Sequence, residues 1–167
     1  DIKNDSQLKS VMEKLAAEAL DDASDEILKI FKDKYIMGYS YIDSPKKYSR
    51  TFEFREAWDF TALKKQANTL FKELWYNPSE MRTFDPDRYI HGSKYSSPPD
   101  VRDNLPAILE GKRSSLWLSV DRKGKFWQEF LKGMFDSGEL NRIMTKHFSK
   151  RGFVKIYGGI MVYDIRR

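Results

Sequence analysis

The sequence predicts an α+β fold, and three patterns carry that prediction. First, Leu8, Val11, Met12, Leu15, Ala19, Ala23, Ile27, Ile30 and Phe31 recur at helical spacing across about residues 6–37. Second, Phe52, Phe54, Trp58 and Phe60 fall on one face of a period-two run whose other face holds Glu53, Arg55 and Asp59, the mark of a half-buried strand. Third, helical stripes return after residue 124, and a Gly158-Gly159 pair then separates two short β-rich runs. The chain has 167 residues and no composition break, so residues 1–167 are read as one domain.

Taken in order, residues 1–37 form the N-terminal helix. Asp5 or Ser6 can cap it, because a short side-chain oxygen accepts the first free backbone N–H groups. Asp21, Asp22, Asp25 and Glu26 crowd negative charge into its middle and predict a kink or break there. Gly38 is expected to end it. Residues 38–76 begin as an aromatic, basic loop broken by Pro45 and continue into the strand over 52–60, which Glu56 interrupts once. Residues 61–76 fit two patterns. Leu63, Ala67, Leu70, Phe71 and Leu74 suit a helix, which periodicity favours. Leu70, Leu74 and Tyr76 suit a strand, with Asn68 turning the chain into a hairpin. Residues 77–123 are rich in Pro, Gly, Ser and Asp and read as long loops holding a short helix at about 101–110. Loops of that length inside a compact domain are usually interaction segments. Residues 124–152 are two helices broken at Asp136-Ser137-Gly138 and stopped by Gly152, and residues 153–167 are a terminal β-hairpin.

Composition narrows the function. The absence of cysteine excludes a disulfide scaffold, a thiol nucleophile and a zinc ribbon. Eleven Phe, nine Tyr and four Trp supply a core, and Trp58 and Trp127 are read as part of it. No run approaches the ~18 apolar residues of a membrane span, and mean hydropathy is -0.68, so no membrane partner is expected. The chain starts at Asp1 rather than Met, which leaves a preceding segment open. The net charge of +5 is uneven. Residues 1–45 carry six Lys against ten acidic residues, a net of -4, and residues 46–167 carry 24 basic against 15 acidic residues, a net of +9. An acidic arm beside a basic body suits self-association, or a basic face that meets nucleic acid, or simply a solvated surface.

Catalytic patterns are sparse. Asp85, Asp87 and His91 lie close enough in sequence to suggest a divalent-ion site, but Asp-Pro-Asp is also ordinary turn chemistry. His147 sits on the apolar side of a helix and reads as a satisfied, partly buried histidine. GxSxG, GxxxxGK[ST] and GxGxxG are all absent, so neither an enzyme nor a cofactor is expected. Basic and aromatic residues interleave in 41–50 and 112–127, with Lys146, Lys150, Arg151, Lys155, Arg166 and Arg167 near the C-terminal end. That arrangement would attract phosphate without reading sequence. The candidate interaction residues are Tyr39, Tyr41, Lys46, Lys47, Tyr48 and Arg50 in the aromatic-basic loop. Asp85, Asp87, Arg88, Tyr89, His91 and Arg102 are the candidates in the long loops.

Several segments, in this order, carry a resemblance: the acidic N-terminal helix with its Tyr-rich loop, YSRTFEFREAW, LWYNPSEM, DPDRYIHGSKY, VRDNLPAILEG and FWQEFLKGMFDSGELNRIMTKHF. Together, over about residues 5–152, they resemble a family of minor virion proteins of tailed bacteriophages of Gram-positive hosts, the small head–tail joining or tail-completion proteins. The segment after Gly152 is not placed by that pattern. The resemblance implies a long N-terminal helix packed on a small antiparallel sheet with C-terminal helices beside it, and it favours strand over residues 69–76. It also implies a homo-oligomeric ring at the neck of the virion. The partners would be portal, connector and tail proteins, with DNA passing non-specifically through the bore and no cofactor. In such a ring the acidic helix and basic body would be complementary faces of neighbouring subunits.

Overall fold

The computed structural model describes residues 4–40, 52–82, 105–106 and 126–154. Helix α1 (Asp5–Ile30) is capped by Asn4, one residue before the expected caps. Asn4 is extended at φ -162°, and its Oδ1 accepts the Gln7 backbone N–H at 2.9 Å. The helix runs unbroken past Asp21–Glu26, so the expected kink does not occur. Gly38 does not end the helix either. A π-helical stretch, Phe31–Ile36, leads into a last α turn, α2 (Met37–Ser40), which contains Gly38. A glycine inside a helix costs only about 1 kcal/mol relative to alanine and does not by itself stop it. The π winding has a packing reason. Bonding i to i+5 brings residues five apart nearly into line. Phe31, Tyr35 and Ile36 thereby face the core together, and all three are buried.

The expected strand over 52–60 is half correct. Phe52 adopts φ 61°, and residues Glu53–Glu56 form one helical turn, α3; only Trp58–Phe60 are strand β1. Phe54 and Trp58 are four apart, a spacing that satisfies both periods. The helical turn wins because it puts Phe54, Ala57 and Trp58 into the core together. Arg55 and Glu56 then reach Asp33 (2.6 Å) and Lys32 (3.2 Å) on the π stretch.

Residues 61–76 hold three short strands rather than a helix, against their helical periodicity. Strand β1 pairs antiparallel with β4 (Leu74–Tyr76), matching Trp58 to Tyr76 and Phe60 to Leu74. Strand β2 (Lys64–Gln66) pairs antiparallel with β3 (Thr69–Phe71), matching Lys64 to Phe71 and Gln66 to Thr69. The four strands are one hairpin interrupted by a bulge, since three residues (61–63) lie opposite two (72–73). Thr61 holds the junction by donating its N–H to the Glu73 carbonyl at 2.9 Å. The chain turns at Ala67-Asn68, as the Asn68 signal suggested.

Helices α4 (Phe126–Phe135) and α5 (Glu139–Ser149) bear out the C-terminal pattern. Gly138 makes the corner between them at φ 73°, a region that L side chains rarely enter. Gly133 is required for another reason: a Cβ there would overlap the Tyr35 hydroxyl.

The core is aromatic and centred on Phe31. Its ring lies 4.6 Å from Phe130, 5.0 Å from Trp58 and 5.7 Å from Trp127, centre to centre. Trp58 stacks on Trp127 at 5.8 Å, with 19° between the planes. Trp58 is buried and Trp127 half-buried. Thus the α+β arrangement holds: a long N-terminal helix against a small antiparallel hairpin, closed by two C-terminal helices. The expected 153–167 hairpin and most of the 101–110 helix lie outside the described residues.

Candidate interaction surface

The acidic residues of α1 have partners on their own chain. Glu26 accepts from Lys146 at 2.6 Å, lies 2.7 Å from His147 Nε2 and reaches Arg142 at 3.4 Å. The Lys146 hydrogen bond, then that of His147, holds the Glu26 carboxyl far below its ordinary range, at about 2. One turn earlier, Asp22 accepts from Arg151 at 2.8 Å, which also lowers its pKa. Asp22 sits 3.7 Å from His147 Nδ1, and Glu18 sits 3.6 Å from Arg151. His147, 7% exposed, lies between two carboxylates, but the satisfied histidine its place on the apolar face suggested is only half met: Nε2 is engaged by Glu26, while the buried Nδ1 has no hydrogen-bond partner. On the hairpin side, Lys72 meets Asp21 at 2.8 Å and Lys65 meets Glu13 at 2.6 Å.

This seam changes what the charge asymmetry means. The acidic helix and the basic body are complementary within one subunit, through α5 and the hairpin. Among the described residues acidic and basic side chains nearly balance, so the +5 comes from segments outside them.

The seam covers only part of α1. Residues 5–40 span about 54 Å at a rise of ~1.5 Å per residue, while α4 and α5, with 10 and 11 residues, span about 15 Å each. The long helix therefore extends beyond α4 and α5. At its N-terminal end Leu8 (42% exposed), Val11 (45%) and Met12 (47%) stand in solvent along one stripe, which becomes half-buried at Leu15 and fully buried at Ala19. Sequence periodicity placed all of these residues on a single apolar stripe, without separating packing on this subunit from packing on a neighbour. The signal that separates them is length: among the described residues, neither α4 nor α5 is long enough to cover the whole of α1.

A second apolar feature lies farther along the helix. Leu20 and Ile27 of α1, Phe60 and Leu74 of the hairpin, and Met134 and Met144 of α4 and α5 line a cavity of about 110 Å³ that is partly open to solvent. Phe135 stands at its edge, 46% exposed. The polar groups at the cavity are already engaged: Lys72 with Asp21, Glu73 with Lys64 at 2.5 Å, and the Ser24 hydroxyl with the Leu20 carbonyl at 2.7 Å.

Of the interaction residues expected from sequence, Tyr39 falls on the backbone of α2. Tyr41, Lys46, Lys47, Tyr48, Arg50, Asp85, Asp87, Arg88, Tyr89, His91 and Arg102 lie outside the described residues. Among the described residues, no group of three His, Asp or Glu side chains could hold a metal ion, and no helix is long and apolar enough to cross a membrane. No family model matches the sequence, and no curated protein or solved structure matches it.

Proposed function

We propose that this chain is a structural subunit that works by associating with copies of itself. Its place is in the head–tail joining or tail-completion layer of a tailed bacteriophage, in a ring at the neck of the virion. Its partners there are portal or connector and tail proteins, and its role is mechanical rather than catalytic. The observation that carries the reading is the stripe of Leu8, Val11 and Met12. An ordered, capped helix end that exposes three neighbouring apolar side chains exposes what a partner usually covers. The ion seam supports it by anchoring α1 on its own subunit, so that the overhang is presented rigidly.

Sedimentation velocity across a hundredfold range of concentration tests the reading. A closed oligomer larger than a dimer is expected, and a monomer at every concentration overturns it. If that monomer also binds duplex DNA with an affinity that falls steeply with salt, a non-sequence-specific nucleic-acid-binding protein is the better reading.

A further inference from the structure

The face of α1 that is exposed at Leu8, Val11 and Met12 is the face that α5 covers farther along. Seven residues make nearly two turns of helix, with a drift of only ~20°. Leu8, Leu15 and Asp22 are therefore in line, as are Val11 and Glu18, and Met12, Ala19 and Glu26. Glu26, Asp22 and Glu18 meet, in turn, Arg142, His147 and Arg151 of α5 and its end. The two orders are opposite, so α5 runs antiparallel to α1 and toward its uncovered end.

Where α5 stops, the chain is still on this face. Gly152 turns it at φ 83°, and Phe153 donates its N–H to the Phe148 carbonyl at 3.1 Å and packs on the Phe148 ring at 5.5 Å. Val154 then stands in solvent. Thirteen residues follow, 155–167, and seven of them are Ile, Met, Val or Tyr. From Glu18 back to Leu8 is ten residues, or ~15 Å of helix. Five extended residues cover about 17 Å, so even a chain that doubles back at Gly158-Gly159 is long enough to follow the stripe to Leu8. Residues 83–104 and 107–125, by contrast, leave and re-enter the aromatic core at Met81, Leu105 and Phe126.

We propose that residues 155–167 lie along the Leu8, Val11 and Met12 stripe of their own chain in the free subunit. The cover is a separable layer. It adds contacts to the surface of α1 without entering the core, and it can leave without unfolding the subunit. Where the stripe also serves assembly, this segment and a neighbouring copy compete for it, which holds the free subunit back from association. That consequence rests on the self-association reading; the contact itself does not.

The absence of native cysteine makes the test direct. In the full chain, Met12→Cys is combined in turn with Tyr157→Cys, Ile160→Cys, Val162→Cys or Ile165→Cys, and each double variant is oxidised mildly. At least one pair should close within the chain at a rate that does not change on dilution, since a disulfide needs Cα atoms within ~7 Å. Ser10 is exposed and lies on the opposite side of α1 from Met12. Ser10→Cys with the same partners should therefore close at least about tenfold more slowly, and thermal melts check that both sets fold. Equal rates from positions 10 and 12 overturn the proposal. So does closure between molecules alone, which would put the segment on a neighbouring copy. A wild-type chain that stays monomeric while a Met12 pair still closes keeps this contact and overturns the self-association reading. An oligomer in which no Met12 pair outpaces the Ser10 control does the reverse.

Discussion

The two ends of α1 face different surroundings, although one apolar stripe runs through both. From Ala19 to Ile36 the helix is enclosed. Ala19, Ala23, Phe31 and Ile36 have no exposed surface, Phe31 sits among four aromatic rings, and three cations and a histidine from α5 and its end grip Asp22 and Glu26. From Leu8 to Met12 the same stripe faces water, and the single ion pair between the Asp5–Glu18 half and the hairpin is Lys65–Glu13 among the described residues. Periodicity records which face of a helix is apolar. It does not record how much of that face another element is long enough to cover. One end of α1 therefore serves the fold, and the other carries exposed apolar side chains.

The largest expected effect lies at the enclosed end. Trp58→Ala removes a buried ring that packs on Phe31, Phe54, Tyr76, Phe126 and Trp127, and should cost about 3–5 kcal/mol in a urea titration. Met12→Ala, at the exposed end, should stay within about 0.5 kcal/mol for the subunit itself, read at a concentration low enough to keep it monomeric. If the two losses were similar in size, the overhang would be part of the folding core and the contrast would fail.

Much of this division could be read from residue order, and some could not. The helices over 126–135 and 139–149, the Asp136–Gly138 corner and the turn at Asn68 all follow from short-range chemistry that the surroundings do not override. The strand over 52–60 was overread because Phe54 and Trp58 fit both periods, and the decision rests with tertiary packing on Phe31 and Phe126. The helical pattern of 61–76 gave way because Leu74 and Tyr76 reach the core only from a strand paired with β1. The acidic run at 21–26 looked like a helix breaker because its counter-charges are more than a hundred residues away on α5, or about fifty away at Lys72. The exposure of Leu8, Val11 and Met12 needed a comparison of element lengths, which no local pattern contains.

The ion seam offers a graded way to loosen the enclosed end. The folded-state pKa of Glu26, about 2, lies below its ordinary 4.5. Its contribution is therefore present above pH 4.5 and is lost as pH falls toward 2. Glu26→Gln should destabilise by about 1 kcal/mol at pH 7, a net value for a charged hydrogen bond at a partly exposed site. The difference in melting temperature between wild type and variant should shrink steadily between pH 5 and pH 2. A gap that stayed constant down to pH 2 would mean that Glu26 acts through packing rather than through its charge.

The smallest effect has the opposite sign and lies beside the overhang, at the tip of the hairpin that Lys65 ties to Glu13. Ala67 holds φ 52° at the turn between β2 and β3, in the left-handed region where a Cβ is strained. Its side chain is exposed, so replacing it removes no core contact. Glycine adopts that backbone without strain but has more freedom to lose on folding. Relief of strain should outweigh that entropy, and Ala67→Gly should stabilise by about 0.5 kcal/mol, read as a small rise in the urea midpoint with an unchanged slope. The gain should also appear as slower amide exchange across Lys64–Phe71, with little change in the aromatic core. Slower exchange at Phe31 and Phe130 as well would mean that the hairpin tip and the enclosed end open together, and the two halves of α1 would then not be energetically separate.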